Sequence, residues 1–393
     1  MLCSDLCLSN DHVFDREQAM GRYLSACWLC LALICTAGPA MAAADSGPRL
    51  VVIDQDGSGP GGSNMRSMLA LIQAPDVKVL GISMVTGNAW MKAETEHTLR
   101  MLELIGRRDI PVYEGAVHPL VRSRVRTLAE QRFYGHIAWL GAWGGDGSDP
   151  DAYPADPNAR QPMPEGRPSI SAQHEDAAHF LIDAVHAHPG QVTVFAAGPL
   201  TNLALAQRID PSFARTAKQL VVMGGSISPV SDDAEFTTTP SHEFNVWFDP
   251  EAAHIVFTAD WRKIIDTPVD ISLQSWYSDR MQSAIAKSHS PAAQYLAAYD
   301  NERYYMWDEI AALAWLHPDL VKKTRTLYLD ADLSHGPSYG NTLAWTKQSK
   351  PETAGPAVIV QMKLDRQAFD RAFIDLMRAP TPNASRPAIE RSD

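Results

Sequence analysis

Short apolar runs alternate with amphipathic segments along most of this chain. Leu50 to Ile53 and Gln219 to Met223 are short apolar runs bounded by turn residues, a pattern typical of buried strands. The segment after the first run places Met65, Met68 and Leu69 at helical spacing. Strands and helices are therefore expected to follow one another in turn.

The same patterns predict further elements as far as residue 316. Strands are expected at residues 77–85, 111–113, 191–196 and 263–265, and helices at 93–105, 177–188 and 304–316, with two more beginning at Leu200 and Asp249. Because such alternation is typical of parallel sheets, we predict a single large α/β domain over residues 45–379, with a mostly parallel central sheet and helices on both faces. Residues 144–168 are predicted to form a long surface loop, and residues 380–393 a disordered tail.

Composition narrows the class of partner. The 393 residues are 45% hydrophobic and 20% charged, an ordinary balance for a soluble domain with a sizeable core. Their net charge of −12 argues against nucleic acid as a partner, because a phosphate backbone requires clustered Lys and Arg. A metal ion or a neutral sugar remains compatible with this charge, and the sequence leaves homo-oligomer formation open.

Residues 1–42 have the layout of an extension followed by a secretory signal. The apolar run Leu24 to Ala37 precedes the small-residue site Ala40-Met41-Ala42 and is shorter than the ~20 residues of a membrane-spanning helix. The residues before Met20 are acidic, unlike a signal, so translation is expected to start at Met20. We predict an exported, periplasmic or secreted protein that begins near Ala43, with no cysteine and no membrane segment after processing. An uncleaved anchor is the alternative.

The first predicted strand leads into an acidic, glycine-rich loop, DQDGSGPGGSN. Asp54 and Asp56 follow the strand, the glycines permit close approach to a ligand, and Ser63 is the expected N-cap of the next helix. In open α/β sheets, ligands bind at the carboxyl ends of the strands. An ordinary turn with solvated carboxylates is the alternative.

Further polar residues stand at the ends of predicted strands or the starts of predicted helices: Asn88, Asn202, Glu243, Asn245 and Asp308. Together they would form an oxygen-rich pocket with no sulfur and little imidazole, which suits a hard cation such as Ca²⁺. Each also has a structural alternative, as a turn cap or as a solvated side chain.

Five longer motifs follow in a fixed order: VLGISMVTGN (79–88), LRMLELIGRRDIPVYEGAVHPL (99–120), AAGPLTNLALAQRIDPSFA (196–214), VVMGG (221–225) and EFNVWFDPEAAHIVF (243–257). With the DxD loop, they resemble the inosine/uridine-preferring nucleoside hydrolase family over residues 49–378. The resemblance implies hydrolysis of the N-glycosidic bond of ribonucleosides to ribose and free base. It also implies a calcium ion that holds the ribose hydroxyls and the attacking water.

The resemblance assigns roles only at matching positions. It implies Asp56 as general base and calcium ligand, with Asp308 and the backbone carbonyl of Ala197 as further calcium ligands. Asp54 would support Asp56 on the substrate side. The resemblance implies that Asn88, Glu243 and Asn245 contact the ribose and that Met223 lies on the wall of the pocket. For Met223, core packing is an equal alternative.

Two positions depart from the family pattern. Ser63-Asn64 stands where the family has an aspartate pair, which would make Ser63 a ribose contact and Asn64 an uncharged calcium ligand, so weaker calcium binding is expected. Trp307 stands in place of a histidine that assists the leaving base. A tryptophan can stack on a base but cannot protonate it, and a helix residue packed in the core is the alternative.

Other side chains offer a proton near that position. Tyr304 and Tyr305 carry phenols, whereas His136 is expected to be a structural histidine.

Two further functions remain as hypotheses. The departures leave open a non-hydrolytic or altered-specificity nucleoside-binding protein of the same fold. A remote alternative is a haloacid-dehalogenase-like phosphatase with Asp54 as nucleophile and Asp56 as acid/base, which would not account for the other motifs.

Overall fold

A mixed sheet lies at the centre of the computed structural model, which describes residues 47–144, 154–233, 236 and 241–384. Within these residues the sheet has nine strands, in the spatial order β3-β2-β1-β4-β5-β6-β9-β7-β8. Their bounds are β1 (Arg49–Gln55), β2 (Val77–Met84), β3 (Val112–Glu114), β4 (Val192–Ala197), β5 (Gln219–Met223), β6 (Ile264–Thr267), β7 (Val321–Ala331), β8 (Thr342–Trp345) and β9 (Val358–Leu364).

The sheet is mostly parallel, as predicted. Strands β1 to β6 and β9 pair in parallel, and β7 pairs antiparallel with both β9 and β8. The chain runs outward from β1 to β3 and then returns to place β4 on the other side of β1. In open α/β sheets, the crevice outside the strand ends at such a reversal is the usual ligand site.

Helices cover both faces of the sheet. Their bounds are α1 (Gly62–Gln73), α2 (Met91–Leu104), α3 (Arg124–Tyr134), α4 (Ala177–Ala187), α5 (Thr201–Ile209), α6 (Phe213–Thr216), α7 (Phe244–Phe248), α8 (Pro250–Phe257), α9 (Val269–Ser272), α10 (Asp279–Ile285), α11 (Pro291–Tyr299), α12 (Asp308–Leu316) and α13 (Arg366–Arg378), with 3₁₀ turns at Gly141–Trp143 and Pro318–Leu320. None of the helices in this described part of the chain is long and apolar enough to span a membrane.

The strands have continuous apolar runs because each faces a core on both sides. Val51 and Ile53 of β1 pack into the cluster formed with α1 and α12, whereas Val52 packs into the opposite cluster with α4 and α5. A strand buried on both faces loses the alternation of polar and apolar residues. This explains why these strands could be located from the sequence.

The structure corrects several predicted boundaries. β1 extends two residues beyond Ile53, so Asp54 belongs to the strand. Ser63 is not an N-cap, because α1 begins at Gly62 and Gly61 occupies the cap position without a side-chain bond. The helix expected from Tyr304 begins only at Asp308. Strands β7 to β9 and helices α3, α6, α7, α9, α10, α11 and α13 were not predicted.

Some predictions lie partly or wholly outside the described residues. These are the extension and signal over 1–42 with its start at Met20, part of the surface loop (145–153) and most of the tail (385–393). Within the described part of the predicted loop, residues 154–168 contain neither helix nor strand, as expected.

Candidate functional site

A pocket of about 400 Å³ lies at the carboxyl ends of the central strands, and we call it the main pocket. Nine residues singled out from the sequence line it: Asp56, Ser63, Asn64, Asn88, Met223, Glu243, Asn245, Trp307 and Asp308. A volume of this size is ordinary for a small-molecule site. The tertiary structure thus brings together residues that are up to 252 positions apart in the chain.

Asp56 lies where two turns close around the end of β1. A Cβ added at Gly87 would lie 2.1 Å from Asp56 Oδ2, and one added at Gly198 would lie 3.0 Å from the Asp56 nitrogen. Only glycine permits this approach of the turns after β2 and β4. Asp56 Oδ2 accepts a hydrogen bond from the Asn88 backbone N–H (3.0 Å), and Oδ1 accepts one from Asn64 Nδ2 (2.8 Å). Neighbours in the same pocket therefore fix the carboxylate.

Two acids in the main pocket share a raised proton affinity. Burial raises the pKa of Asp56 well above its ordinary value and the charge of Asp308 raises it further, although the Asn88 N–H opposes the shift. Burial also raises the pKa of Asp308, followed by the charge of Glu309. Among the described residues, no basic side chain forms an ion pair with Asp56 or Asp308. This pair of carboxyl groups is therefore suited to hold a proton or a cation.

Side-chain amides connect the two acids. Asn64 Nδ2 donates to Gln55 Oε1 (2.8 Å) as well as to Asp56, and Gln55 Nε2 donates to Asp308 Oδ2 (3.1 Å). Gln55 is fully buried and was not identified from the sequence. An amide presents an oxygen on one side and a nitrogen on the other. For Asn64 to bind a cation beside Asp56, its amide must turn to present Oδ1.

The donor set in the main pocket fits a calcium ion. Asp56 and Asp308 offer carboxylate oxygens, and the Asn64 amide would add a third oxygen once it turns, a set that a hard cation prefers. Ala197 ends β4 beside Gln55 in the sheet register and does not line the pocket with its side chain. Within the described chain, no group of three or more His, Cys, Asp or Glu residues is placed to hold a metal. With an amide at Asn64, the site has fewer charged ligands than an all-carboxylate site.

Ser63 joins the loop after β1 to the start of α12. Its hydroxyl donates to the carboxylate of Glu309 and accepts from the backbone N–H groups of Trp307 (3.2 Å) and Asp308 (3.2 Å). The hydroxyl is therefore engaged with α12 and does not cap its own helix. This contact holds Trp307 and Asp308 at the edge of the main pocket.

A buried arginine, Arg66, lies three residues after Ser63 in α1. Arg66 pairs with Asp300 (3.0 Å), Glu302 (2.8 Å) and Glu309, and its guanidinium lies 4.1 Å from the centre of the Tyr277 ring. We call Arg66 and its three acids the arginine cluster.

The arginine cluster also caps α1. Asp300 accepts from the Gly62 N–H (3.3 Å) and Glu302 from the Ser63 N–H (3.0 Å), so distant acids replace the missing local cap.

Asp54 does not line the main pocket. It is fully buried and accepts hydrogen bonds from the Ser83 hydroxyl and from Asn202 Nδ2 (2.8 Å). Burial raises its pKa to about 7, against these two hydrogen bonds. Asn202 also donates to the carbonyl of Met84 (3.0 Å). The hydrogen bonds of Asp54 and Asn202 therefore connect β1, β2 and α5. An Asp54 without access to the pocket cannot attack a phosphate there, which removes the basis of the phosphatase hypothesis.

Glu243 and Asn245 are positioned by the start of α7. The Glu243 carboxylate is the N-cap and accepts from the backbone N–H groups of Asn245 (2.9 Å), Val246 (3.0 Å) and Gly225 (2.9 Å). Burial raises the pKa of Glu243 despite these bonds. Asn245 Nδ2 donates to the carbonyl of Met223 (3.1 Å), which fixes the amide against the end of β5.

Other residues of the main pocket were not identified as site residues from the sequence: Ser58, Ala138, Trp139, Phe236, His242, Phe244, Val269 and Glu302. Tyr304 lines it too, whereas Tyr305 and the exposed His136 do not. Trp139 and His242 lie in the segments FYGHIAW (133–139) and HEFN (242–245). A search of these segments for aromatic side chains would have found both.

His242 adds a neutral imidazole to the pocket. Burial, followed by the charge of Arg122, lowers the pKa of His242 to about 4. Its ring is therefore uncharged near neutral pH.

Aromatic rings form one side of the main pocket. Trp307 has its ring centre 5.7 Å from that of Phe236 and 6.1 Å from that of Tyr304. Asp56, Asn64 and Asn88 lie near the end of β1, where they are hydrogen-bonded to one another. The pocket thus has an aromatic part and an oxygen-rich part.

This fold and pocket belong to a known class of enzyme. The sequence profile described as "Inosine-uridine preferring nucleoside hydrolase" matches residues 51–371. The chain belongs to this family of N-ribosyl hydrolases.

Individual relatives agree with this assignment. The chain is 31% identical to "Probable uridine nucleosidase 2" of Oryza sativa subsp. japonica over 68% of this chain and 74% of the relative. It is 27% identical to "Inosine-uridine preferring nucleoside hydrolase" of Crithidia fasciculata over 84% and 98%. Among solved structures, a plant nucleoside hydrolase, the PpNRh1 enzyme, matches with a TM-score of 0.66 and 25% identity over 85% of this chain and all of the other.

Proposed function

We propose that this protein hydrolyses the N-glycosidic bond of ribonucleosides in the main pocket and releases ribose and a free base. The observation that carries the proposal is the meeting of Asp56, Asp308, Asn88, Glu243 and Asn245 in one pocket of suitable size. Two types of surface then serve the two parts of the substrate, oxygen atoms for the ribose and aromatic rings for the base.

Asp56 is the proposed general base. Its carboxylate is buried and fixed by two hydrogen bonds, and its raised pKa strengthens its affinity for a proton. A base of this kind takes a proton from the attacking water as the new C–O bond forms. The bond between the sugar and the base breaks as positive charge grows on the ribose, and the nearby acids stabilise that charge.

Calcium is the proposed cofactor. Asp56, Asp308, the Asn64 amide oxygen and the carbonyl of Ala197 would hold it. A bound divalent cation lowers the pKa of a bound water towards neutrality. Asn88, Glu243 and Asn245 are proposed to bind the ribose hydroxyls, with Met223, Ser63 and Asp54 supporting that side of the site.

The base is proposed to lie against Trp307, Phe236 and Tyr304. Trp307 supplies a surface for stacking but no acidic proton. His242 has its pKa lowered to about 4, so near neutral pH its imidazole is not a cationic acid. Tyr304 adds a phenol O–H to this part of the pocket, and it is the proposed hydrogen-bond donor to the leaving base.

Release of free ribose from inosine, uridine and adenosine tests the proposal directly. The purified protein is assayed with calcium present and again after chelation. We expect turnover of at least one nucleoside and its loss on chelation. Absence of turnover for all three in the presence of calcium would refute the proposal.

Non-hydrolytic nucleoside binding is the second candidate. Its support is the Asn64 amide, which donates to the carboxylate oxygen that would act as the base. Asn64→Asp separates the two functions, since it restores the acid at this position. Nucleoside binding without hydrolysis in both the original protein and the variant would favour the binding function.

We also propose that the protein is exported and begins near Ala43 after removal of a signal that starts at Met20. The support is the sequence layout of residues 20–42. N-terminal sequencing of the exported protein tests this, and a first residue at Met1 would refute it.

A further inference from the structure

A second cavity of about 370 Å³, here called the adjoining cavity, lies next to the main pocket. The two share three lining residues: Ser58, Asn88 and Trp139. The adjoining cavity is otherwise lined by parts of the glycine loop, of α2 and of the loop 154–168, including Gly59, Ala93 and Pro162. It therefore meets the main pocket beside Asn88, and Trp307 does not line it.

Trp139 controls the orientation of the Asn88 side chain. Its indole Nε1–H donates to Asn88 Oδ1 at 2.7 Å. With the oxygen engaged, the Asn88 Nδ2 group is directed to the other side, where Asn64 Oδ1 lies 3.4 Å away. The Asn88 backbone N–H is meanwhile bound to Asp56. Trp139 thus selects which end of the amide is presented beside Asp56.

Trp139 lies where the two cavities meet, and it is the largest of the three side chains that line both of them. Trp90 lines only the adjoining cavity, and its Nε1–H donates to the carbonyl of Pro154 (2.7 Å). The two tryptophans therefore differ in one respect that matters here. The indole N–H of Trp139 donates to Asn88 of the proposed ribose site, whereas that of Trp90 donates to Pro154.

We propose that Trp139 is the specificity-determining residue on the sugar side of the main pocket. It positions Asn88 for an unsubstituted ribose, and its ring closes the pocket off from the adjoining cavity. The inference rests on the proposed function, because it takes the sugar to bind beside Asn88.

The lining of the adjoining cavity indicates which substituents Trp139 excludes. No Lys, Arg, Asp or Glu lines it among the described residues. Its polar groups include His97, whose Nδ1 pairs with the buried Glu165, and the amide of Gln161. A large neutral group on the ribose would fit this environment, whereas a phosphate would meet no basic side chain.

The positioning role is tested with Trp139→Phe, which keeps an aromatic ring and removes the N–H donor. We expect KM for inosine to rise roughly fivefold with kcat changed by less than about twofold, the size of one lost hydrogen bond used equally in ground and transition states. In an Asn88→Ala background the same substitution should have almost no effect, because the two residues act through one contact. An equal effect in both backgrounds would overturn the positioning role.

Trp90→Phe is the matched control. It removes an indole N–H from the same cavity whose hydrogen bond has the same length, 2.7 Å, but ends on Pro154 instead of Asn88. We expect KM for inosine to stay within about twofold of the original value, as for a bond outside the substrate site. A rise in KM equal to that of Trp139→Phe would overturn the assignment, since loss of any nearby tryptophan N–H would then suffice.

The closing role is tested with Trp139→Ala and with inosines that carry a benzyl ether at O2′, O3′ or O5′. Their inhibition constants against inosine hydrolysis are compared with those for the original protein. We expect at least one ether to bind roughly tenfold more tightly to Trp139→Ala, because the two cavities become continuous. If no ether gains affinity while thermal unfolding shows a folded variant, the closing role is wrong.

Failure of the inference is distinguishable from failure of the proposed function. If the original protein releases no ribose, the coupling between Trp139 and Asn88 is read from the dissociation constant of inosine. Coupling in binding without turnover would retain the role of Trp139 and refute hydrolysis. Turnover without coupling would retain hydrolysis and refute the role of Trp139.

Discussion

Asp308 and Glu309 are the first two residues of α12, yet they belong to two different groups of buried acids. Asp308 lines the main pocket with Asp56 and accepts a hydrogen bond from Gln55. Glu309 contacts Arg66 in the arginine cluster. Burial raises the pKa of both acids, but Arg66 opposes the rise at Glu309, whereas neighbouring acids increase it at Asp308.

The difference in partners distinguishes buried acids that stabilise the fold from buried acids that serve the main pocket. α1 contributes to both groups, with Asn64 beside the acids of the main pocket and Arg66 beside the others. A buried acid with a cationic partner is compensated and joins segments of the fold. A buried pair without one gains from a proton or a metal ion. The four predictions below test this division.

The largest effect is expected for Asp56→Asn, which removes the proposed base and keeps the side-chain shape. We expect kcat for ribose release to fall about 10³-fold, within the usual range for loss of a general base. Unfolding by urea should show equal or higher stability, since an uncompensated buried acid is removed. A variant that retains more than about a tenth of the original kcat would contradict the role of Asp56.

Arg66→Met should destabilise the fold most strongly, because it leaves buried carboxylates without their cation. We expect the free energy of unfolding to fall by about 3–5 kcal/mol in urea titrations.

Arg126→Met is the matched control, since Arg126 pairs with Glu130 on a partly exposed helix face. Its loss should cost less than about 1 kcal/mol. Equal losses for Arg66→Met and Arg126→Met would remove the distinction between the arginine cluster and surface pairs.

Asp54 should make stability depend on pH. Its folded pKa of about 7 lies above its ordinary value of 3.8, so between these pH values the folded chain keeps a proton that the unfolded chain releases. The contribution of Asp54 to the free energy of unfolding is therefore fully present below pH 3.8 and is lost as the pH rises to about 7. Asp54→Asn should flatten the decline by on the order of 4 kcal/mol in urea titrations. If the free energy of unfolding depends on pH in the same way in the original protein and in Asp54→Asn, the prediction is wrong.

Asn64→Asp should have the smallest effect of the four substitutions. It adds a carboxylate next to the acids of the main pocket. A third carboxylate beside Asp56 should tighten calcium binding by about tenfold in calorimetric titration. Ser58→Asp adds the same charge at an exposed position of the pocket outside the proposed ligand set. If both variants tighten binding equally, general charge accounts for the effect and Asn64 is not a ligand.

Much of the parallel sheet was predictable because its strands are buried on both faces. β5 matches its predicted bounds, and β1 is longer than predicted by one residue at its start and two at its end. β7 was missed because its sequence, VKKTRTLYLDA, mixes exposed polar residues with few buried positions on an antiparallel strand. Tyr304 was placed in a helix because its apolar neighbours suit one, but Tyr305 instead bridges to Trp276 before α12 begins.

The sequence by itself determined the α/β class, the family resemblance and nine residues of the main pocket, since apolar runs and motif order are local properties of the chain. Only the tertiary structure decided the partner of each acid. Asp54 and Asp56 are two residues apart, a spacing that would place both on one face of a strand. Because β1 ends at Gln55, Asp54 stays buried against Asn202 and Asp56 turns into the pocket. The contacts of Gln55, Arg66 and Trp139 join distant segments, and local sequence patterns carry no record of such pairings.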